Sequence, residues 1–260
     1  MTNKPLTYIF PDPPAGLDPA LLDLSAVPNH VAVIMDGNGR WATARGQARM
    51  AGHKAGVEAV RETIRCASDL GVRYLTLYSF SSENWRRPLE EVSALMALFA
   101  KTMLAEVEEL HKENVRVRFI GDLSRLPEET RSAFDKAQAM TKDNTGLTLV
   151  LAVNYGARDD IVSAARKYAQ TCVDASKENK ELPLLDKDIF SEYLATSDIP
   201  DPDLMIRTSG EMRLSNFLLW EIAYTEFFVT DVLWPDFDRY CFLRALLEYQ
   251  ARSRRFGGIG

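Results

Sequence analysis

Asp36-Gly37-Asn38-Gly39-Arg40 sets a carboxylate, three residues tolerant of unusual backbone angles and a guanidinium side by side. Such a run can turn several backbone N–H groups toward one point and so cradle a phosphate. Asp36 could hold Mg²⁺ against that phosphate, since this ion typically takes one or two carboxylates together with phosphate oxygens. Asp-Gly and Asn-Gly are equally the dipeptides of ordinary tight turns, so local composition leaves both readings open. Further cations stand in other loops: Arg49, Arg86, Arg87, Arg207 and Arg213, with His53 near the first. Arginine suits planar, multidentate phosphate binding, and this many would balance more than one phosphoryl group. Taken singly, each arginine also reads as a solvated surface residue, and His53 as a hydrogen-bonded residue at a helix start.

The elements that must carry these residues follow from periodicity. Val31 to Ile34 is an apolar run leading into Asp36. Val72–Phe80, Val115–Ile120, Leu147–Val153, Asp203–Ile206 and part of Phe227–Trp234 are rich in strand formers. Helical spacing covers Gly52–Leu70, Leu89–Lys112, Pro127–Thr141, a stretch through Ile161 and Ala165, a short piece from Asp186, and Asp238 to about Arg252. Strands alternating with helices predict an α/β fold, a single domain with a mainly parallel six-stranded sheet flanked by helices. In such sheets ligands gather beyond the carboxyl ends of the strands. The expected strands end in Asp36, Ser81 to Arg87, Asn154 to Arg158 and Arg207 to Arg213, all polar. This weighs against a plain turn at Asp36 and predicts one site assembled from several loops.

The helix from Leu89 to Lys112 carries Leu95, Met96, Phe99 and Met103 along one side. Packing against the sheet is one explanation; the wall of an apolar tunnel beside the sheet is the other. A tunnel joined to a diphosphate cradle would suit an isoprenoid diphosphate.

Bulk properties narrow the classes. The chain has 260 residues, 46% apolar and 26% charged, enough for one large core. A net charge of −6 disfavours nucleic acid as a partner. Cys66, Cys172 and Cys241 are scattered, without zinc-ligand spacing, which fits reduced thiols in a cytoplasmic protein. No apolar run reaches the ~18 residues of a transmembrane segment. Residues 1–27, with Pro11, Pro13 and Pro14, are expected as a loosely ordered N-terminal arm, and 28–260 as the catalytic domain.

Five segments, in order, carry a family resemblance. Met35-Asp-Gly-Asn-Gly-Arg-Trp-Ala42 with Gly52-His53, and Ser81-Ser-Glu-Asn-Trp-Arg-Arg87, resemble the first two motifs of the cis-prenyltransferases. Asn154-Tyr-Gly156, Asp203 to Asn216 and Trp234-Pro-Asp236 resemble the later ones, and the likeness runs from about Val27 to Gly258. It is nearest to the bacterial members that make undecaprenyl diphosphate. The resemblance implies a Mg²⁺-dependent transferase that condenses isopentenyl diphosphate repeatedly onto an allylic diphosphate such as farnesyl diphosphate. It implies Asp36 and Asn84 as catalytic residues, Asn84 linked to proton removal with support from Ser81 and Arg87. Gly37, Asn38, Gly39, Arg40, Trp41, Arg49 and His53 would take the allylic diphosphate. Ser82, Glu83 and Trp85 would belong to the second substrate-binding motif. Arg207, Arg213, Leu214 and Ser215 would take isopentenyl diphosphate, with Arg255 and Gly257 reaching in from the second subunit of a homodimer. Glu226 would join Asp36 as a metal-linked carboxylate. Trp41 and Trp85 would help exclude water, and Ser79 and Leu147 would lie near the tunnel lining. The product would be delivered to the membrane by a cytoplasmic protein working at its inner surface. Met212 stands where relatives can carry His, and Ser79 where Ala can occur.

Three alternatives are weaker. An Asp36-nucleophile phosphatase would pair two aspartates two residues apart, whereas Asn38 fills the second position. A trans-prenyltransferase would carry an Asp-Asp-x-x-Asp motif, and Asp159-Asp160 is followed by Ile-Val-Ser. A non-catalytic partner subunit would usually lack the complete Asp36 to Arg40 segment.

Overall fold

A computed structural model describes residues 4–252. Six strands alternate with helices along the chain. They are β1 (His30–Ile34), β2 (Tyr74–Ser81), β3 (Arg116–Ile120), β4 (Thr148–Tyr155), β5 (Leu204–Arg207) and β6 (Glu226–Val229). The helices are α1 (Leu6–Ile9), α2 (Asn38–Ala44), α3 (Arg49–Leu70), α4 (Leu89–Lys112), α5 (Glu128–Thr141), α6 (Ala157–Lys177), α7 (Lys187–Ser191) and α8 (Arg239–Gln250). All strand pairs are parallel, in the order β3-β4-β2-β1-β5-β6, as the alternation requires.

Every residue of β1 is buried, because the strand is covered on both faces. Val31 and Val33 face α3 and α8 with Leu75, Leu77 and Ile206. Ala32 and Ile34 face the segment holding Phe217, Leu218 and Ile222. A third cluster joins α4 and α5 to β3, with Phe119 stacked on Phe134 at 4.0 Å. From β1 the sheet extends through β2 and β4 to β3 on one side, β4 being inserted between β2 and β3, and through β5 to β6 on the other. The switch point of the sheet therefore lies between β1 and β5, where a crevice opens beyond the strand ends.

Element ends follow sequence signals. Gly71, at φ +85°, stops α3, and the Asp238 carboxylate caps α8 by accepting from the Tyr240 and Cys241 N–H groups at 3.0 and 2.8 Å. Helix α4 begins with Glu90 and Glu91 and ends with His111 and Lys112, the charge order its dipole favours. Helix α3 begins at Arg49, earlier than the expected Gly52, and so brings Arg49 onto a rigid element.

The N-terminal segment departs from expectation. It is not a loose arm over residues 4–27: Ile9, Phe10, Leu17 and Leu22 are buried in the same core cluster as α3 and α8. Arg239 donates to the Ile9 carbonyl at 2.9 Å, Gln250 to the Asp23 carbonyl at 2.7 Å, and Lys4 pairs with Asp69 at 2.8 Å. The prolines limit regular structure but leave four apolar side chains free to bury themselves, which outweighs the cost of ordering the chain.

Candidate active site

Asp36 lies just past β1, at the switch point. Its N–H donates to the Thr208 hydroxyl at 2.9 Å, and that hydroxyl donates to the Asp36 carbonyl at 2.7 Å, so the backbone just past β1 is stitched to that just past β5. The carboxylate accepts from the Gly37 N–H at 2.7 Å and from Arg207 Nη2 at 2.9 Å, with Arg40 at 3.6 Å. Burial opposes its ionisation, yet Arg207, the Gly37 N–H and Arg40 together hold its pKa below the usual carboxylate value. The site therefore keeps a charged carboxylate at neutral pH. Gly37 has φ +106°, and a Cβ there would lie 3.1 Å from the Leu233 backbone, so only glycine makes this bend. After it, α2 starts directly at Asn38, with its first N–H groups at the cavity edge.

A cavity of about 1100 Å³ opens here. Its mouth is lined by Asp36, Gly37, Asn38, Gly39, Arg40, Ser81, Asn84, Arg87, Arg207, Arg213 and Ser215 from the loops after β1, β2 and β5 and by Arg49 and His53 from the start of α3, all named from the sequence. The expected loop Asn154 to Arg158 at the end of β4 does not reach it. Glu91 and Glu211 complete the charges there. Arg87 and Arg49 pair with Glu91 at 3.1 and 3.6 Å, and Arg40 and Arg213 both pair with Glu211. Five guanidinium groups then face three carboxylates, leaving an excess of positive charge in a concave, partly desolvated site. Such a mouth attracts a polyanion. Arg207 is 4% exposed and donates to the Ser215 hydroxyl at 2.9 Å and to the Arg213 carbonyl, which fixes the loop after β5. His53 has a buried Nε2 with no partner, and its pKa is lowered to about 4, first by burial and then by Arg87. The ring therefore favours its neutral form, with one buried nitrogen unpaired.

Beyond the mouth the cavity continues between α3 and α4 over the sheet. Val57, Val60 and Ile64 form one wall, Leu95, Phe99 and Met103 another, and Leu149, Leu151 and Val153 the floor. The tunnel reading of the α4 stripe therefore holds for Leu95, Phe99 and Met103. All three also pack in the α4–α5 cluster, as does Met96, which does not line the cavity. Ser79 is on the wall, and Leu147 is buried in the core cluster it shares with Leu149 and Val115, at the deep end.

Several sequence-named residues lie off the cavity wall. Trp41 points away, donating to Asp236 at 2.7 Å and stacking with Arg45 at 4.0 Å. Ser82 donates to Asp159 at 3.0 Å, and Glu83 accepts from Asn216 at 2.9 Å. Trp85 is bound to Asn154, and Leu214 packs on the second core cluster. The expectation that Trp41 and Trp85 themselves shield the cavity is thus corrected: they brace its loops from behind. Glu226 is a larger departure. It begins β6 and is level with Leu204 and, through it, Val31, at the amino end of the sheet. Five residues of strand rise, on the order of 16 Å, separate that level from Asp36. Glu226 pairs with Arg252 at 2.8 Å, so this subunit does not bring it to the Asp36 site. Arg255 and Gly257 lie outside the described residues. Met212 is 89% exposed on the loop after β5.

Glu91, Thr208 and Glu211 were not singled out from the sequence. The Arg87–Glu91 spacing of four residues on a helix start was a legible signal. Nothing local marks Thr208, whose role comes from the pairing of β1 with β5.

Fold and site together are those of an α/β protein whose arginine-lined mouth and apolar tunnel suit a ligand with a polyanionic head and an apolar tail. Residues 34–257 match the prenyltransferase family model described as "Putative undecaprenyl diphosphate synthase". An isoprenyl transferase of Agrobacterium fabrum is 53% identical over 235 residues, 90% of this chain and 94% of that protein. A (2E,6E)-farnesyl-diphosphate-specific ditrans,polycis-undecaprenyl-diphosphate synthase of Aliivibrio fischeri is 49% identical over 92% of each chain. Lavandulyl diphosphate synthase of Lavandula x intermedia, solved with dimethylallyl diphosphate, superposes with a TM-score of 0.85 at 40% identity, covering 90% of this chain and all of that one. The chain belongs to this cis-prenyltransferase family and is a transferase of prenyl groups.

Proposed function

We propose that the protein condenses isopentenyl diphosphate repeatedly onto farnesyl diphosphate, forming a cis double bond at each step and ending at undecaprenyl diphosphate, a lipid carrier precursor for cell-wall synthesis. The observation that carries this reading is the continuity of one cavity from an arginine-lined mouth to an apolar tunnel. The names of the relatives at about half identity support it.

In this mechanism the cradle of Gly37 to Arg40, with Arg49 and His53, takes the allylic diphosphate, and the prenyl tail enters between α3 and α4. Arg207, Arg213 and Ser215 take isopentenyl diphosphate on the opposite side. Breaking the allylic C–O bond releases diphosphate and leaves an allylic cation. The C=C of isopentenyl diphosphate attacks it, and the condensed cation gives up a proton beside Asn84 to a diphosphate oxygen, which restores a double bond. Among the described residues no group of three carboxylate, His or Cys side chains could chelate a metal alone. Asp36 nevertheless fits Mg²⁺, which needs one ionised carboxylate when phosphate oxygens complete its shell. The ion, when bound with substrate, would neutralise charge building on the departing diphosphate. Arg207, buried and held by Asp36 and Ser215, does the same from a fixed position, with little reorganisation at the moment of reaction.

The active form is a homodimer in this reading, with Arg255 and Gly257 completing the neighbour's isopentenyl diphosphate site. Its location is cytoplasmic, peripheral to the inner membrane surface where the product goes; no helix among the described residues is long and apolar enough to cross a membrane. Incubation with Mg²⁺, farnesyl diphosphate and radiolabelled isopentenyl diphosphate, followed by chain-length analysis, tests the proposal. An undecaprenyl product is expected. A product with a single new C–C bond would refute repeated condensation.

A further inference from the structure

Asn154-Tyr155-Gly156 is a family motif that none of the steps above uses, and its residues do not touch the cavity mouth. Asn154 closes β4 with φ +49°, a left-handed conformation, and is 4% exposed. Both ends of its side-chain amide are bonded. Nδ2 donates to the Asp122 carbonyl at 2.6 Å, and Oδ1 accepts the Trp85 indole N–H at 2.7 Å. The Asp122 N–H returns a bond to the Asn154 carbonyl at 3.2 Å. Asn154 is thus locked to the end of β3 and presents a single acceptor to the loop after β2.

That loop is the five-residue turn Ser82–Arg86, which carries Asn84 on the cavity wall. Its internal bonds are local: Ser81 and Asn84 cap one another, with Asn84 Oδ1 accepting the Ser81 N–H at 3.2 Å. Its anchors to the rest of the protein flank Asn84. Ser82 bonds Asp159 and Glu83 bonds Asn216 before it, and Trp85 bonds Asn154 immediately after it. The first two pairs are exposed, whereas the Trp85 bond is part-buried, with the ring edge-on to Phe80 at 5.4 Å and Arg125 over its face at 5.0 Å. A hydrogen bond shielded from water holds geometry better than one open to it. Gly156 allows the close approach: a Cβ there would sit 2.6 Å from the Ser82 hydroxyl and 2.7 Å from Asn216 Nδ2.

We propose that Asn154 is a positioning residue for the catalytic loop, acting through Trp85 to hold Asn84 toward the reacting allylic and isopentenyl groups. This deepens the cis-prenyl transfer reading and rests on it for the role of Asn84. Misplacing a reacting group by an ångström costs on the order of a hundredfold in rate. Asn154→Ala is expected to lower kcat by about that much while leaving the KM for farnesyl diphosphate within about threefold, because the Asp36 cradle is untouched.

The test is a double-mutant cycle with Trp85→Phe, which keeps a ring and deletes the indole donor, on protein labelled with 5-fluorotryptophan. In the Trp85→Phe background, Asn154→Ala is expected to cost little more. In otherwise wild-type protein it should shift or broaden the Trp85 ¹⁹F resonance and leave those of Trp41, Trp220 and Trp234 in place. Asn154→Asp, which retains the acceptor, is expected to recover part of kcat and of the Trp85 signal. Additive losses in the cycle, or an unmoved Trp85 resonance with full kcat, would overturn the proposal. Movement of all four resonances would do so too, because it would mark a general structural defect. A wild-type protein inactive in prenyl transfer, with the Trp85-specific shift still seen on Asn154→Ala, would sink the functional reading and leave the Asn154–Trp85 coupling standing.

Discussion

Asp36 faces two demands at once: it must stay charged in a partly buried place and still be available to a ligand. Arg207 and Arg40 meet the first, and the side chain's partial exposure meets the second. Asp36→Ala is expected to lower kcat by about a thousandfold, or ~4 kcal/mol of transition-state stabilisation; near-normal turnover with Mg²⁺ would contradict its role. Arg213 stands on the other half of the mouth, held by Glu211. Its replacement by Ala should raise the KM for isopentenyl diphosphate severalfold more than that for farnesyl diphosphate, and equal losses would break the two-half assignment. His30 offers a residue-level test of stability. Its Nδ1 faces the Pro200 carbonyl at 2.6 Å and so carries the proton, while Nε2 accepts the Thr76 hydroxyl at 2.7 Å. Burial lowers its pKa to about 4. The unfolded chain takes up a proton near pH 6.5 and the folded one does not until about pH 4, so stability falls as pH drops through that window, by up to ~3 kcal/mol from this group. Urea midpoints at pH 7.5 and 5 should differ clearly, and less so in His30→Gln.

At the scale of elements, the tunnel exists because α3 and α4 stand apart over the sheet instead of meeting along their length. Arg61 on α3 reaches Glu106 on α4 at 2.6 Å, spanning the gap with long side chains. Met103 lies on the wall between Phe99 and the deep end. Met103→Trp is expected to shorten the product by one or more isoprene units while early condensations continue, as thin-layer analysis of dephosphorylated products would reveal. An unchanged length distribution in a folded variant would mean that the chain grows elsewhere. The α4 stripe itself was legible as apolar; its division between tunnel and core was not. Leu95 and Met96 are adjacent apolar residues in one packed cluster, and only the tertiary placement of α4 decides that Leu95 also lines the cavity while Met96 does not.

For the molecule as a whole, β6 is an edge strand with Phe227 and Val229 on its exposed side, and Tyr224 and Met212 are exposed as well. An uncovered edge with apolar side chains is a surface that proteins usually pair or protect. Homodimerisation is the proposed solution. Sedimentation should give a dimer, and Phe227→Lys should shift it to monomer with loss of turnover. A monomeric, fully active wild type would rule out the shared site with Arg255 and Gly257.

The roles of Asn84 and Ser215 came from a family resemblance, whereas the residue types themselves determined the α/β class and the polar, arginine-bearing loops at the strand ends. Those are local facts: alternation of periods, positive-φ residues after a strand, arginines in loops. The tertiary structure alone decided three things. Strand order put β5 beside β1, so that Asp36, Thr208 and Arg207 meet across more than 170 positions of chain. Register put Glu226 at the opposite end of the sheet, a consequence of where β6 starts relative to β5 that no spacing along the chain encodes. Packing turned the proline-rich first residues into part of the core, because a groove between α3 and α8 exists only once both helices have docked. Periodicity reports which residues seek burial; what they are buried against depends on the order in which distant strands pair.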